Sequence, residues 1–283
     1  MTGYGNWHNW SANTDPQVQE AASPQVLRRR LTQTLGVFNS EGIRSDMNKV
    51  LISLFSIVLL AFSNVAAADW FLSSETKALI IKAEAGDVDA QLRVGAAYDF
   101  GKGAPRDGTE AMKWYRMAAD RGNAEAQNSV GSTLQAEKRY EEALLWYEKA
   151  SAQGHALATN NLAYLHDLGL GVKQDRRKGF ELYSRAADLG WAEAMWNIAN
   201  MYGAGQVGDK DMVSACVWAK RAQKFSSPQE RQLQSHLSRV IPQLERMLSS
   251  EQLASCSEQS ENWAPIALRK KDAQFDSQLD VAR

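Results

Sequence analysis

Proline is scarce in this chain of 283 residues: there are six, against 19 glycines. Cysteine is scarcer, with only Cys216 and Cys256. Scarce proline removes the strongest helix breaker, and the many Ala, Glu, Gln and Leu residues favour helix. Long alternating runs of Val, Ile and Thr are missing, which argues against an extended sheet. Two cysteines are too few for a disulfide framework, and neither Cys-x-x-Cys nor His-x-x-x-His occurs. The net charge is −1, so no field draws the chain to nucleic acid or to an anionic membrane surface. The short basic runs 28–30 and 269–271 stand alone and read as solvated surface.

What is present is a period. Residues 122–131 read GNAEAQNSVG, and close variants stand at 86–95 (GDVDAQLRVG), 154–163 (GHALATNNLA) and 190–199 (GWAEAMWNIA). Their leading residues, Gly86, Gly122, Gly154 and Gly190, are spaced by 36, 32 and 36. A period in the thirties is the signature of a stacked repeat array.

Within residues 86–121, Val88, Ala90, Leu92, Val94, Gly95 and Tyr98 fit one helix, and Gly101, Gly103 and Pro105 break it. Asp107 stands three residues before Glu110, the spacing of a capping box. Ala111, Trp114, Tyr115 and Ala118 then recur at helical spacing, and Gly122 closes the unit with a left-handed cap. The first helices align on Ala90, Ala126, Ala158 and Ala194, and on Gly95, Gly131, Ala163 and Ala199. The second helices align on Trp114, Trp146, Leu182 and Trp218. Small residues let backbones approach while aromatics fill the space between layers. A helix pair alone exposes an apolar face, and stacking buries it.

These motifs (AEAQNSVG, GKGAPRD, GLGVKQD and AMKWYRMAADRG) resemble the Sel-1-like repeat family, a subclass of the tetratricopeptide superfamily. The resemblance covers residues 79–224. It implies an all-α fold, a right-handed α-solenoid of helix-turn-helix repeats at 86–121, 122–153, 154–189 and 190–224. The second unit departs by skipping the glycine turn at 134–140, and the fourth has Val207 where the second turn glycine belongs. Residues 69–85 are expected to form a leading helix. Residues 225–265 are expected to form C-terminal capping helices, with Pro228 in the first turn of one and Ser249 and Gln252 in capping-box spacing at the start of another. Residues 266–283 read as a polar, frayed tail.

Residues 47–68 are MNKVLISLFSIVLLAFSNVAAA. A charged start, the apolar run Val50 to Phe62 and the small residues Ala66 to Ala68 make the layout of a secretory signal peptide. The run is short for a membrane span of about 20 residues. Residues 1–46 lack a sustained period and read as a non-native or disordered extension. The expectation is a periplasmic or secreted protein with no transmembrane span after cleavage from Met47 to Ala68. In such a compartment Cys216 and Cys256 can form a disulfide, or both can be small buried apolar groups.

Catalytic chemistry finds no support. GAGQVG at 203–208 matches a dinucleotide fingerprint, but it follows a helix where strand, turn and helix are needed. Ser74 to Lys77 matches S-x-x-K without the K-T-G element that accompanies it in acyl-transfer enzymes. His155 and His166 lie eleven residues apart, about 16 Å along a helix. The chain is expected to be no enzyme, with no cofactor, no metal site and no nucleic-acid partner.

If the array coils as tetratricopeptide arrays do, the first helix of each pair lines a concave groove. The groove candidates are Asn128, Asn160, Asn161, Tyr164, Trp196, Asn197 and Asn200. A row of amides can pair with a peptide backbone, and aromatics add rigid contact area. The function expected is that of an exported scaffold or adaptor binding a protein or peptide. The alternatives are an envelope-associated hydrolase or regulator of cell-wall enzymes, and a structural spacer with no groove ligand.

Overall fold

The computed structural model describes residues 71–266. The chain divides into Met1–Ala68 and Asp69–Arg283, and the described residues belong to the second unit. The extension 1–46, the apolar segment 47–68 and residues 267–283 lie outside the described residues.

Among the described residues there are eleven helices and no strand. Helix α1 (Ser74–Glu84) leads. Four pairs follow: α2 (Val88–Phe100) with α3 (Gly108–Asp120), α4 (Ala124–Ala136) with α5 (Tyr140–Ala152), α6 (Ala156–Leu168) with α7 (Arg176–Asp188), and α8 (Ala192–Ala204) with α9 (Met212–Phe225). Helices α10 (Arg231–Glu245) and α11 (Ser250–Glu261) close the array. Each helix from α1 to α9 packs on the next, whereas α11 returns to pack on α9. This is an all-α helical repeat fold.

Local chemistry sets the helix ends. Asp87, Asn123, Asp175 and Asp211 each accept a main-chain N–H of the first turn, worth about 1 kcal/mol apiece. Asp107 accepts from Thr109 and Glu110, while the Glu110 carboxylate turns to Lys113 at 3.2 Å rather than completing a box. Ser249 and Gln252 do form the reciprocal box. Gly101, Gly169 and Gly205 cap their helices in the left-handed region. The second unit lacks that glycine, and there Lys138 takes φ +62°, a conformation costing an L residue roughly 1–2 kcal/mol. Pro228 falls in the turn before α10 rather than in its first turn. The Glu230 carboxylate accepts Ser227 N–H there, and the helix starts at Arg231.

Packing follows the period. Ala90, Ala126, Ala158 and Ala194 are buried, as are Val94, Val130, Leu162 and Ile198 beside the close-contact positions. A Cβ on Gly95 would lie 2.6 Å from the Tyr115 ring, and one on Gly131 would lie 2.7 Å from the Tyr147 ring. Glycine at these two places is a requirement of ring-to-backbone contact. Polar bonds join the units: Gln91 donates to Ala83 O at 3.0 Å and Gln127 to Ala119 O at 3.1 Å. One apolar core runs from Ala111 to Ile241.

Cys216 and Cys256 are bonded, with Cα atoms 6.0 Å apart. They join α9 to α11 and sit with Val217 in a small cluster separate from the main core. Cross-linking residues 40 apart reduces the freedom of the unfolded chain by about 4 kcal/mol in the entropic account.

Candidate functional site

The register between neighbouring first helices is set by asparagine pairs. Asn161 Nδ2 on α6 donates to Asn128 Oδ1 on α4 at 3.2 Å. Asn197 Nδ2 on α8 donates to Asn160 Oδ1 on α6 at 3.1 Å. Asn128 and Asn160 are only 7% and 4% exposed. Two of the five asparagines expected to face a ligand are therefore buried rungs between repeats. A buried amide needs a partner, and the adjoining helix supplies it. Asn161 and Asn197, the donors, are half-buried.

Behind this row stand the tyrosines of the second helices. Tyr147 Oη donates to Gln135 Oε1 at 2.9 Å and lies 3.2 Å from Ser132 Oγ. Burial pushes its pKa up to about 12, so it remains a neutral donor. Tyr115 Oη donates to Asp99 Oδ2 at 3.2 Å, and burial together with the Asp99 carboxylate pushes its pKa up as well.

The remaining candidates cluster at the C-terminal end of this face. Beyond the Asn197–Asn160 rung, Asn200 stands one turn further along α8 and Tyr164 one turn further along α6, with Trp196 one turn before Asn200. All three side chains are half-buried. The Asn200 amide makes no hydrogen bond with the described residues. Trp196 packs edge-on against His236 of α10, with ring centroids 4.9 Å apart and planes at 71°. Burial and the Arg239 charge hold His236 below its ordinary value, which favours the neutral ring. Glu193, one turn before Trp196, is raised by burial and by the nearby Glu230 carboxylate.

His236 is the residue that sequence reasoning misses. It follows Trp196 by 40 residues and lies beyond the last recognisable unit, so no period brings the two together. Among the described residues no three His, Cys, Asp or Glu side chains converge as metal ligands would. Ser74 and Lys77 lie exposed on α1, and 203–208 form the end of α8 and the turn after it. No helix among the described residues is long and apolar enough to cross a membrane.

A stack of helix pairs whose first helices are joined by amide rungs and carry half-buried rings on the same face is an α-helical repeat scaffold. The family described as Sel1 repeat matches residues 88–123, 124–155, 156–191 and 192–222, and the chain belongs to that family. It is 35% identical over 79 residues to chitin synthase regulatory factor 3 of Schizosaccharomyces pombe, a stretch covering 28% of this chain and 8% of that relative. Among solved structures it is similar to c5321, a protective antigen present in uropathogenic Escherichia coli strains and displaying an SLR fold. The TM-score is 0.61 and the identity 26%, over 69% of this chain and 43% of that one. A Sel1 repeat protein from Oxalobacter formigenes gives a TM-score of 0.49 at 24% identity, over 59% of this chain and 78% of that one. The chain thus spans less than half the length of the first two. Sel1 repeat proteins generally act as protein-interaction scaffolds, and the family is typically non-catalytic.

Proposed function

We propose that this chain is an exported, non-catalytic scaffold that holds a protein or peptide along its first-helix face, with the main contacts at Tyr164, Trp196 and Asn200. The observation that carries the reading is the Asn200 amide, which is half-buried and makes no hydrogen bond among the described residues, one helical turn after the half-buried ring of Trp196. An amide both donates and accepts, so it can bond a peptide unit in either direction. Rigid aromatic rings add contact area at little cost in side-chain entropy. Asn161 and Asn197 keep unused amide capacity at the same face after their rungs are formed.

Export is supported by the layout of residues 47–68 and by the buried Cys216–Cys256 bond, since such bonds persist in oxidising compartments. The reading places the mature chain in the periplasm or the secreted fraction. A second reading, regulation of an envelope enzyme by binding it, is favoured by the relative whose name makes it a regulatory factor of chitin synthase. The two differ in the partner and not in the binding face.

Affinity capture from an envelope extract tests both. The bait is the oxidised chain, run beside a Trp196→Ala, Asn200→Ala variant of matching helix content and unfolding midpoint. A protein retained by the first and lost from the second is expected, and a cell-wall enzyme as that protein would select the second reading. Equal retention by both baits overturns the face assignment. No retention above empty resin overturns the scaffold reading.

A further inference from the structure

Helix α11 is an unusual member of this array. Its sequence, SEQLASCSEQSE, buries only Cys256 and Ser260, so it has almost no apolar face with which to dock. By contrast α10 buries Leu233, Leu237 and Ile241 within the main core. The face of α9 that receives α11 is a single stripe of Val213, Cys216, Val217, Lys220, Arg221 and Lys224, at helical spacing. Lys220 Nζ meets Ser257 Oγ at 3.1 Å, Arg221 Nη2 donates to Gln259 O at 2.8 Å and Lys224 Nζ to Glu261 O at 3.2 Å. Beyond the helix, Trp263 lies against Trp218 and Phe225 at 5.4 and 5.7 Å.

The position of the bond is informative. Cys216 stands 36 residues after Phe180, which packs edge-on against Tyr202 of the next repeat at 5.6 Å. A covalent bond thus takes the place that an apolar contact between repeats occupies one unit earlier. Besides the three polar bonds along its C-terminal half, two pins hold α11: the disulfide in its middle, and Trp263 after its end.

We propose that Cys216–Cys256 is a redox latch for the closing helix. Oxidised, it keeps α11 over the outer stripe of α9. Reduced, α11 is held at one end only, comes away from Ser249 onward, and uncovers Val213 and Val217, while α10 and the four repeats stay packed. Both sulfurs are fully buried, so a reductant must wait for α11 to open. The reductant is a dithiol. One of its thiolates attacks a sulfur to form a mixed disulfide, and its second thiol completes the exchange. Two electrons and two protons pass to Cys216 and Cys256, and the dithiol leaves as its own disulfide. The latch involves only α9 and α11 and does not depend on a ligand at the first-helix face.

Hydrogen exchange of the full chain, oxidised and then reduced with dithiothreitol, tests this. Amides of residues 250–261 are expected to exchange at least about tenfold faster after reduction, with α2 to α10 changed by less than about twofold. A Cys216→Ala, Cys256→Ala variant should reproduce the reduced pattern in the absence of reductant. Unchanged protection of α11 after reduction overturns the latch, because other contacts then suffice to dock it. Loss of protection throughout the array, or a variant that does not fold, also overturns it, since the bond would then be a global staple.

Discussion

Gly131→Ala asks whether ring-to-backbone contact or helix propensity governs the close-contact positions. In an ordinary helix interior this change stabilises by about 1 kcal/mol. Here the new Cβ would lie 2.7, 2.8 and 3.2 Å from three ring atoms of Tyr147. Tyr147 is 1% exposed and its hydroxyl is tied to Gln135 at 2.9 Å, so the ring cannot step aside freely. Overpacking of this kind costs about 1–3 kcal/mol, and a displaced hydroxyl loses a further bond worth about 1 kcal/mol. The net expectation is destabilisation of about 1–3 kcal/mol. Gly203→Ala is the control: its Cβ would lie 3.6 Å from Ala215 Cβ, an ordinary contact, so propensity should prevail and the variant should gain up to about 1 kcal/mol. Urea midpoints followed by circular dichroism separate the cases. A Tyr147→Leu background sharpens the comparison, because with the ring removed Gly131→Ala should turn neutral or stabilising. If Gly131→Ala raises the midpoint as Gly203→Ala does, the contact is not what selects glycine there.

Three further outcomes follow from local geometry. Lys138→Gly should raise the urea midpoint by the equivalent of about 1 kcal/mol by relieving the left-handed backbone; no gain would mean that Lys138 carries little strain. Asn160→Ala removes the acceptor of Asn197 at a buried site and should cost about 1–2 kcal/mol, whereas Asn200→Ala should change stability by less than about 0.5 kcal/mol; equal costs would show that Asn200 is also part of the packing. Glu193, its folded pKa raised by burial, binds its proton more tightly when folded. Its contribution is therefore full below the ordinary glutamate range and is lost as pH rises through the raised folded value. Glu193→Gln should accordingly raise the midpoint more at pH 7 than at pH 4, and an equal shift at both would refute the assignment.

The repeat positions are legible in the sequence because they encode backbone requirements. Gly95 and Gly131 recur where a tyrosine ring meets the helix, and Gly101, Gly169 and Gly205 recur where the chain turns left-handed. Those demands recur from unit to unit, with alanine at 163 and 199 as the small residue, and so appear as a period. The missing glycine of the second unit is legible too, although the residue that takes its place, Lys138, is not named by any pattern. The asparagines are less legible. The sequence places Asn128 and Asn160 on a helix face, but their burial depends on how far each first helix turns toward the next, and no residue pattern states that rotation. The contact of α11 with α9 is hidden for another reason: α11 has no apolar stripe to announce its docking face, and the bond does that work instead.

This difference between repeated and unrepeated positions bears on where a ligand would sit. Leu92, Asn128, Asn160 and Trp196 are equivalent places on successive first helices. Two of the four accept an amide from the next helix and are consumed in doing so. At the fourth, the next helix offers His236, and the rung becomes an edge-on aromatic contact. Such a pair contributes about 0.5–1.5 kcal/mol, comparable with the net value of the hydrogen bond it replaces. The array therefore loses little cohesion there. It gains a half-buried indole one turn from an amide that makes no hydrogen bond among the described residues. Polar groups that recur in register are used by the stack itself, and the proposed binding face draws on those that break the register. The asparagine rungs thus belong to the architecture, and the proposed recognition face rests on the unrepeated Trp196, Asn200 and Tyr164.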